Sequence, residues 1–259
     1  MADLFRVDGK VAVIVGGGGG IGEALAKGLA QYGAKVAVAD LKTIMPRLQT
    51  IADEIHSQFG VETAAFPLDI TDETSVAQLA ESVVSKFGTI DILVNSQGLN
   101  LKFPATEFAK KDWDQMFGVN VTGIMLTCRE LGKVMVEKKK GKVINLSSIR
   151  GSRATLWGGN EAYCATKGAV DMITRALASE WAPYNINVNA IAPSLVATKL
   201  AERTTSDPER LAKYLANVPL KRMGQPDDVV GLCVFLASPA SDFITGQVVY
   251  LDGGASAVV

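Results

Sequence analysis

The sequence contains a single histidine and only three cysteines in 259 residues. Cys128, Cys164 and Cys233 are far apart and form no Cys-x-x-Cys pair, which argues against a disulfide framework or a zinc site and favours a reducing compartment. His56 lies in a predicted outer helix, where a solvated side chain is expected. We therefore expect neither a metal site nor metal-dependent chemistry.

The chain also lacks an excess of charge of either sign. Its 26 basic and 27 acidic residues give a net charge of -1 at pH 7, so the overall field favours neither nucleic acid nor an anionic membrane. No uninterrupted apolar run approaches the roughly 18 residues of a membrane span, and the first residues lack the basic and apolar regions of a secretory signal. These absences predict a cytoplasmic protein that binds neither nucleic acid nor membranes.

Apolar side chains make up 48% of the sequence and are concentrated in short runs separated by segments long enough for helices. Seven runs are predicted strands, at residues 10–15, 35–39, 63–66, 91–94, 142–146, 187–191 and 247–251. Buried strands joined by helical crossovers form a parallel sheet with both faces covered. We expect an α/β protein with one doubly wound, seven-stranded parallel sheet, in a single domain over residues 1–259.

Five consecutive glycines, Gly16 to Gly20, follow the first predicted strand. Gly16, Gly20 and Gly22 have the spacing Gly-x-x-x-Gly-x-Gly and open the first predicted helix, which is the context of a phosphate-binding turn. Small residues let the backbone approach a pyrophosphate, and the helix N-terminus offers unpaired N–H groups to the anion. A merely flexible turn is the alternative, but the position of the run favours phosphate binding.

Asp40 closes the second predicted strand, about 20 residues beyond the glycine loop, where a carboxylate accepts hydrogen bonds from an unmodified adenosine ribose and repels a 2′-phosphate. The position therefore predicts NAD rather than NADP as the cofactor. A turn aspartate without this role is the alternative, and the nearby Lys42 weakens the expected exclusion of a 2′-phosphate.

Tyr163 and Lys167 are four residues apart in a predicted helix, which places their Cβ atoms roughly 5–6 Å apart on one face. An adjacent ammonium stabilises a phenolate, whose parent phenol has a pKa of about 10. The pair predicts a proton-transfer site, although a surface tyrosine beside a solvated lysine has the same spacing. Two serines, Ser147 and Ser148, lie upstream.

Over residues 10–254 the order of these motifs resembles the short-chain dehydrogenase/reductase family. The resemblance implies a Rossmann fold and an enzyme that interconverts CH–OH groups and carbonyls with a nicotinamide cofactor. It assigns the catalytic positions to Asn120, Ser148, Tyr163 and Lys167. Asn120 would hold a water in the proton relay, and Ser147 would shape the backbone. Tyr163 would exchange the proton, and Ser148 would hydrogen-bond the reacting oxygen. Lys167, together with the positive charge of the bound cofactor, would lower the pKa of Tyr163 from about 10 towards 7.

The resemblance also implies cofactor contacts in the loops that follow the strands. Asp69 matches the aspartate that contacts the adenine ring, and Thr198 matches the residue that binds the nicotinamide carboxamide. Ser96 and Gln97 depart from the family's Asn-Asn-Ala-Gly motif, and Ser194 departs from its Pro-Gly. The predicted cofactor-binding residues are Gly16, Gly19, Gly20, Ile21, Asp40, Leu41, Asp69, Ile70, Asn95, Gly98, Tyr163, Lys167, Pro193, Val196 and Thr198.

Arg150 and Arg153 follow the catalytic serine, and the interval to Tyr163 suggests a substrate-facing loop at residues 151–160. An arginine fork suits a carboxylate, sulfonate or phosphate, although either arginine could equally face solvent or form an interface ion pair. Residues 148–151 are also similar to the corresponding stretch in some sugar-acid and polyol dehydrogenases of the family. We expect a sugar, sugar acid or related anionic polyol as substrate. The predicted substrate-binding residues are Ser148, Arg150, Arg153, Asn160 and Tyr163.

Two other functions stay open at this point. A 3-oxoacyl-thioester (acyl-carrier-protein) reductase shares the fold and the catalytic residues, but usually prefers NADPH and needs a basic patch for its acidic carrier. A nucleotide-binding regulator without turnover is the non-enzyme alternative, and it is expected to lack Ser148, Tyr163 or Lys167.

Two further expectations concern the outside of the domain. The polar segment 204–217 suggests a substrate lid around residues 195–220, although the capping signal at residues 206–209 fits an ordinary surface helix equally well. The family resemblance implies a homotetramer in which helices over residues 112–138 and 161–181 pair across subunits.

Overall fold

Seven parallel strands form the centre of the computed structural model, which describes residues 4–155 and 157–258. Their spatial order is β3-β2-β1-β4-β5-β6-β7, so the predicted doubly wound parallel sheet is confirmed. Each strand begins and ends within two residues of its predicted position. The strands are β1 Val11–Val15, β2 Lys35–Asp40, β3 Thr63–Pro67, β4 Ile92–Asn95, β5 Gly141–Leu146, β6 Ile186–Pro193 and β7 Val248–Leu251.

Helices cover both faces of the sheet. Helices α1, α2 and α9 pack on one face, and α3, α5 and α6 pack on the other. No helix in the described part of the chain is long and apolar enough to span a membrane. The helices are α1 Gly20–Gln31, α2 Met45–Phe59, α3 Glu73–Phe87, α4 Lys110–Phe117, α5 Gly123–Lys138, α6 Glu161–Trp181, α7 Glu202–Thr205, α8 Pro208–Ala216 and α9 Pro226–Ala237.

Strand β1 shows why an unbroken apolar run forms a central strand here. Successive side chains of a strand point to opposite faces, and both faces of this sheet are covered. Ala12 and Ile14 pack among the residues of the first helical layer, whereas Val11, Val13 and Val15 pack among those of the second. The domain therefore has two apolar cores, one on each side of the sheet.

The chain order reverses between β1 and β4, because β1 pairs with β2 on one side and with β4 on the other. Ligands of open parallel sheets bind in the crevice at the carboxyl ends of the strands, at such a reversal. The glycine loop follows β1 and Ser148 follows β5, so both predicted functional segments lie at this edge.

The helix predicted over residues 112–138 is present, and it contains a π-helical turn that the sequence did not predict. Helix α4 ends at Phe117, and a π-helical turn, Gly118–Thr122, connects it to α5. Glycine and β-branched residues have a low preference for the α-helix, and the side chain of Asn120 bonds to the backbone of Leu99 rather than facing solvent. Turns of this kind are frequent at functional sites.

Helix α8 confirms the capping signal read from the sequence. The side chain of Asp207 accepts a hydrogen bond from the backbone N–H of Arg210 at 3.0 Å, and Pro208 occupies the first helical position. Aspartate at the N-cap and proline at the next position are both favourable. The segment 195–220 thus contains an ordered helix beside the cleft, and its movement as a lid stays a prediction.

The homotetramer predicted from the family can be tested on exposed apolar side chains. Met125 on α5 is 43% exposed and Met172 on α6 is 60% exposed, so these helices offer apolar surface for pairing. We expect a sizing measurement at micromolar concentration to give a tetramer, and Met172→Glu to shift it towards smaller species. Thr50→Glu, on the outer side of α2, is the matched control. A wild-type monomer would contradict the prediction.

Candidate active site

The helix α6 brings Tyr163 and Lys167 together, as their spacing predicted. The Lys167 Nζ lies 5.6 Å from the centroid of the Tyr163 ring. It donates a hydrogen bond of 2.7 Å to the carbonyl oxygen of Leu146, the last residue of β5. Both side chains are buried. One of the three ammonium donors is therefore used to attach α6 to the sheet.

Burial lowers the pKa of Lys167 to about 8, and the charge of Asp171 opposes this effect. Asp171 lies one turn further along α6 and accepts a hydrogen bond from the hydroxyl of Ser147. This contact turns Ser147 towards the helix, in keeping with the structural role that the sequence suggested for it. Desolvation thus leaves an ammonium whose proton is held less tightly than in water.

Burial dominates the electrostatics of Tyr163. It raises the pKa of the phenol to about 12, while a hydrogen bond with Ser148 and the charge of Arg150 oppose this rise. Burial therefore favours the protonated phenol at neutral pH. The fall of this pKa towards 7 that Lys167 and the positive charge of a bound cofactor would produce stays a prediction.

Ser148 lies beside the tyrosine. Its hydroxyl accepts a hydrogen bond from the backbone N–H of Arg150 at 3.2 Å and is 3.4 Å from the carbonyl oxygen of Pro193. The hydroxyl is thus held between the ends of β5 and β6, where it lines the same cleft as Tyr163.

Asn120 is fully buried in the π-helical turn. Its Oδ1 accepts from the N–H of Leu99 at 2.8 Å, and its Nδ2 donates to the Leu99 carbonyl at 2.8 Å and to the Thr166 hydroxyl at 3.1 Å. Both amide protons are used, whereas Oδ1 retains a second lone pair. A water in the predicted relay would bind at that lone pair.

The glycine loop is shaped by close backbone contacts. Gly16 has a φ of +77°, and a Cβ atom there would lie 2.7 Å from the backbone nitrogen of Gln97. A Cβ at Gly22 would lie 2.1 Å from the carbonyl oxygen of Gly16. Side chains at these positions would push the loop out of the crevice. The loop leads to the N-terminus of α1 at Gly20, where free N–H groups can bind an anion.

The carboxylate of Asp40 borders this loop. Its Oδ2 accepts from the N–H of Gly18 at 3.0 Å, and its Oδ1 accepts from the N–H of Leu41 at 2.8 Å. Two oxygens provide about four acceptor positions, so capacity remains for a ligand. Asp69 lies two residues after β3, and its Oδ1 accepts hydrogen bonds from the backbone N–H and the hydroxyl of Thr71.

Asn95 does not reach the cleft, which corrects its assignment as a cofactor contact. The side chain has no exposed surface. Its Nδ2 donates to Asn145 at 2.9 Å, and its Oδ1 accepts from Thr127 at 2.8 Å. Asn145 in turn donates to Thr174 at 3.0 Å. This buried network joins β4 and β5 to α5 and α6. Asn95 therefore stabilises the elements that form the cleft without contacting a ligand in it.

The cleft brings most of the other predicted residues together and has a pronounced charge bias. Among the described residues, five basic and no acidic side chains line it, namely Lys102, Arg150, Lys167, Lys199 and Arg210. The predicted site residues that line it are Gly19, Gly20, Ile21, Gly98, Ser148, Arg150, Asn160, Tyr163, Lys167, Pro193, Val196 and Thr198. The predicted residues Gly16, Asp40, Leu41, Asp69, Ile70 and Asn120 lie outside this lining.

Arg153 points elsewhere, which contradicts its predicted contact with the substrate. Its guanidinium donates to the backbone carbonyls of Ser256 and Val258, and it does not line the cleft. The side chain therefore ties the loop 151–160 to the end of the chain. Leu156, which the predicted loop includes, lies outside the described residues.

Apart from Asn160, the cleft residues with unpartnered polar atoms were not among the predicted binding residues. Buried polar atoms without a hydrogen-bond partner occur on Ser96, Gln97, Asn100, Asn160 and Arg210, and all five residues line the cleft. An unpartnered buried polar group is costly unless a ligand or water satisfies it. The departure of Gln97 from the family motif was a signal that could have identified it. Arg210 had no such signal, because the sequence does not reveal which side of α8 faces the cleft.

Comparisons with known proteins agree with this arrangement. A family model described as enoyl-(acyl carrier protein) reductase matches residues 16–256. The chain is 36% identical over 256 residues to the 5-keto-D-gluconate 5-reductase of Escherichia coli (strain K12), covering 98% of each protein.

Two solved structures extend the comparison. One is a short-chain type dehydrogenase/reductase from Mycobacterium marinum, with a TM-score of 0.94, 33% identity and 99% of each chain covered. Another is a gluconate 5-dehydrogenase from Burkholderia cenocepacia J2315 in complex with NADP and tartrate, with a TM-score of 0.93, 34% identity and 99% of each chain covered. The chain therefore belongs to the short-chain dehydrogenase/reductase family, and sugar-acid oxidoreductases are among its relatives.

The lowered pKa of Lys167 predicts a pH-dependent stability difference. Below about pH 8 the buried lysine is charged and the folded state bears its full desolvation penalty. As the pH rises from about 8 to 10.5, the folded state loses this proton before the unfolded state does, so the lysine becomes progressively less destabilising. We expect Lys167→Met to be most favourable for stability, relative to wild type, below pH 8 and to lose that advantage as the pH rises.

Urea unfolding of both proteins at pH 7 and at pH 9.5, at equal protein concentration, measures the change. Other titrating groups are common to the two proteins and cancel in the comparison. A difference in unfolding free energy that is the same at both pH values would contradict the prediction.

Proposed function

We propose that this protein is an NAD-dependent dehydrogenase that interconverts a secondary alcohol and a carbonyl on a sugar acid or a related anionic polyol. The observation that carries the proposal is the composition of the cleft. Ser148, Tyr163 and Lys167 open into a cleft lined by five basic and, among the described residues, no acidic side chains. Proton-transfer groups and an anion-binding surface therefore occupy one space.

Tyr163 is the proton carrier in this proposal. In the direction of reduction, its protonated phenol donates to the carbonyl oxygen, and the hydroxyl of Ser148 hydrogen-bonds the same oxygen. In the direction of oxidation the phenol must first lose its proton, which its raised pKa disfavours at neutral pH. Alkaline conditions and added positive charge near the phenol therefore favour oxidation.

The residues present fit a bound nicotinamide dinucleotide, which supplies a hydride acceptor or donor. The N-terminus of α1 would bind the pyrophosphate, since its free N–H groups border the cleft. Lys167 has two ammonium protons without a hydrogen bond to the described residues and would bind the ribose next to the nicotinamide ring. The unpartnered polar atoms of Ser96 and Gln97 give the same edge of the cleft further capacity for a polar ligand.

Asp40 supports a preference for NAD. Its carboxylate borders the glycine loop through the N–H of Gly18, and a 2′-phosphate placed there would meet a negative charge at close range. The NADP in the Burkholderia cenocepacia relative supports a nicotinamide cofactor in general. Arg47 donates to the Gly18 carbonyl at 3.2 Å and is paired with Glu23 at 2.6 Å, so its charge is largely neutralised and offsets little of this repulsion.

The names of the relatives support the substrate class. Both 5-keto-D-gluconate and gluconate are sugar acids that carry a carboxylate away from the reacting carbon. Arg150 lines the cleft, and its charge also acts on Tyr163, so it contributes positive potential next to the reacting oxygen. A homotetramer and a cytoplasmic location remain part of the proposal.

The first experiment follows the absorbance of the reduced nicotinamide with NAD and NADP over a panel of sugar acids, aldoses and polyols. Reduction of acetoacetyl thioesters is the contrast, because a 3-oxoacyl-thioester reductase would share the fold and the residues that transfer the proton. Preferential turnover of an anionic sugar derivative with NAD supports the proposal. Turnover confined to NADPH and the thioester would replace it with the acyl-reductase alternative.

Substitution of the proton carrier provides a direct test. We expect Tyr163→Phe to lose nearly all turnover, by about 100-fold or more, because proton transfer typically contributes 10²–10⁴ in rate. The affinity for NADH, measured by fluorescence titration, should stay within about twofold, since the ring is kept. Turnover close to that of the wild type would exclude Tyr163 as the proton carrier.

The cofactor preference can be tested at Asp40. We expect Asp40→Ala to improve kcat/KM with NADP and to weaken it with NAD, because the substitution removes both a ribose acceptor and a repulsive charge. Kinetics with each cofactor at a saturating substrate concentration measure the ratio. Asp53→Ala is the matched control, since it removes an exposed carboxylate of α2 that bonds to Gln49 and not to the glycine loop. An unchanged NAD/NADP ratio in Asp40→Ala would contradict the role of this residue.

A further inference from the structure

Arg210, on the helix α8, extends into the active-site cleft. It lines the same cleft as Ser148 and Tyr163. Its Nε is buried and has no hydrogen-bond partner. Among the described residues, no acidic side chain forms an ion pair with it. A guanidinium placed in this way has an unfilled requirement for an acceptor.

An aromatic surface holds this guanidinium in position. The Arg210 Cζ lies 5.0 Å from the centroid of the Trp157 ring, and the Tyr214 ring lies 6.3 Å from the Trp157 ring. Tyr214 is buried on α8, and its hydroxyl accepts a hydrogen bond from the N–H of Leu195 at 3.0 Å. A cation–π contact orients a guanidinium without neutralising its charge. Its planar fork therefore stays available to a ligand.

We propose that Arg210 is the residue that recognises the carboxylate of the substrate and so selects sugar acids over neutral polyols. The proposal rests on the proposed function and adds to it a specificity residue outside the predicted site. A carboxylate has two coplanar oxygens, which match two parallel N–H donors of a guanidinium. Trp157 is a positioning residue, because it acts only through Arg210.

Arg210 fits this role better than Arg150 and Lys167, the two cations next to the reacting groups. Arg150 already donates to the carbonyl of Ala154, and its charge acts on the phenol of Tyr163, where the reaction takes place. Lys167 is attached to the end of β5. Arg210 comes from a different element from the proton-transfer groups, so it can bind a carboxylate that lies several bonds from the reacting carbon.

The test compares one sugar acid with one neutral polyol of the same chain length. We expect Arg210→Gln to lower kcat/KM for the sugar acid by roughly 10- to 100-fold, the range of a charge-assisted hydrogen bond. The value for the polyol should change by less than about twofold. Arg210→Lys keeps the charge but loses the planar fork, so its kcat/KM for the sugar acid should lie between those of wild type and Arg210→Gln. Trp157→Leu should raise KM for the acid more than it lowers kcat, whereas Trp157→Phe keeps an aromatic face and restores the wild-type KM.

Lys213→Gln is the matched control, because Lys213 lies on the same helix and pairs with Glu209 on the exposed side. It should leave both substrates unchanged. NADH affinity, measured by fluorescence titration, should be the same in all variants. Equal losses on the acid and the polyol, or weakened NADH binding in Arg210→Gln, would overturn the proposal, as would unchanged kinetics on the acid.

A binding measurement separates this proposal from the function itself. Calorimetric titration of the protein–NADH complex with gluconate and with tartrate needs no turnover. Carboxylate binding that is lost in Arg210→Gln supports Arg210 as the carboxylate-binding residue. If the wild type then oxidises no sugar acid, only the proposed function fails. Equal binding in wild type and Arg210→Gln rejects Arg210 as the carboxylate-binding residue, even if sugar acids are turned over.

Discussion

The arrangement of the site depends on one buried ammonium group. Lys167 has little contact with water, and its hydrogen bond to the Leu146 carbonyl fixes α6 against the end of β5. The segment after Ser148 must then pass close to the same helix. A Cβ atom at Gly151 would lie 2.4 Å from a carboxylate oxygen of Asp171 and 3.0 Å from the backbone oxygen of Lys167. A larger residue would therefore turn the Asp171 side chain away and crowd the backbone of α6. The cost of desolvating one lysine is thus coupled to the geometry of the whole catalytic group.

The contrast between overall and local charge is instructive. A net charge of -1 did not indicate an anion-binding site, because acids and bases are nearly balanced over the chain. The fold separates them in space. Five basic side chains and no acidic side chain among the described residues reach the cleft, whereas acids such as Glu23 and Asp91 are paired with lysines elsewhere. A chain with almost no net charge can therefore still form a cleft that binds anions.

The sequence was most informative where local chemistry alone determines structure. Apolar runs predicted all seven strands, and the i to i+4 spacing placed Tyr163 next to Lys167. It was least informative where the outcome depends on which way a side chain turns. Asn95 and Arg153 find hydrogen-bond partners away from the cleft, and Arg210 finds an aromatic ring contributed by a distant loop. Such choices depend on tertiary contacts that no local pattern encodes. The raised pKa of Tyr163 has the same origin, because it results mainly from burial, and burial depends on tertiary packing.

The position of α8 has an evolutionary consequence. Ser148 directly follows β5, and Tyr163 and Lys167 lie on α6, where all three are buried. Helix α8, by contrast, lies in a segment between β6 and α9 that contributes no strand to the sheet. Changes in α8 can accumulate without disturbing the chemistry of the reaction. A fold divided in this way can diversify its substrates while its mechanism stays constant, which is one physical reason why a single architecture serves many metabolic roles.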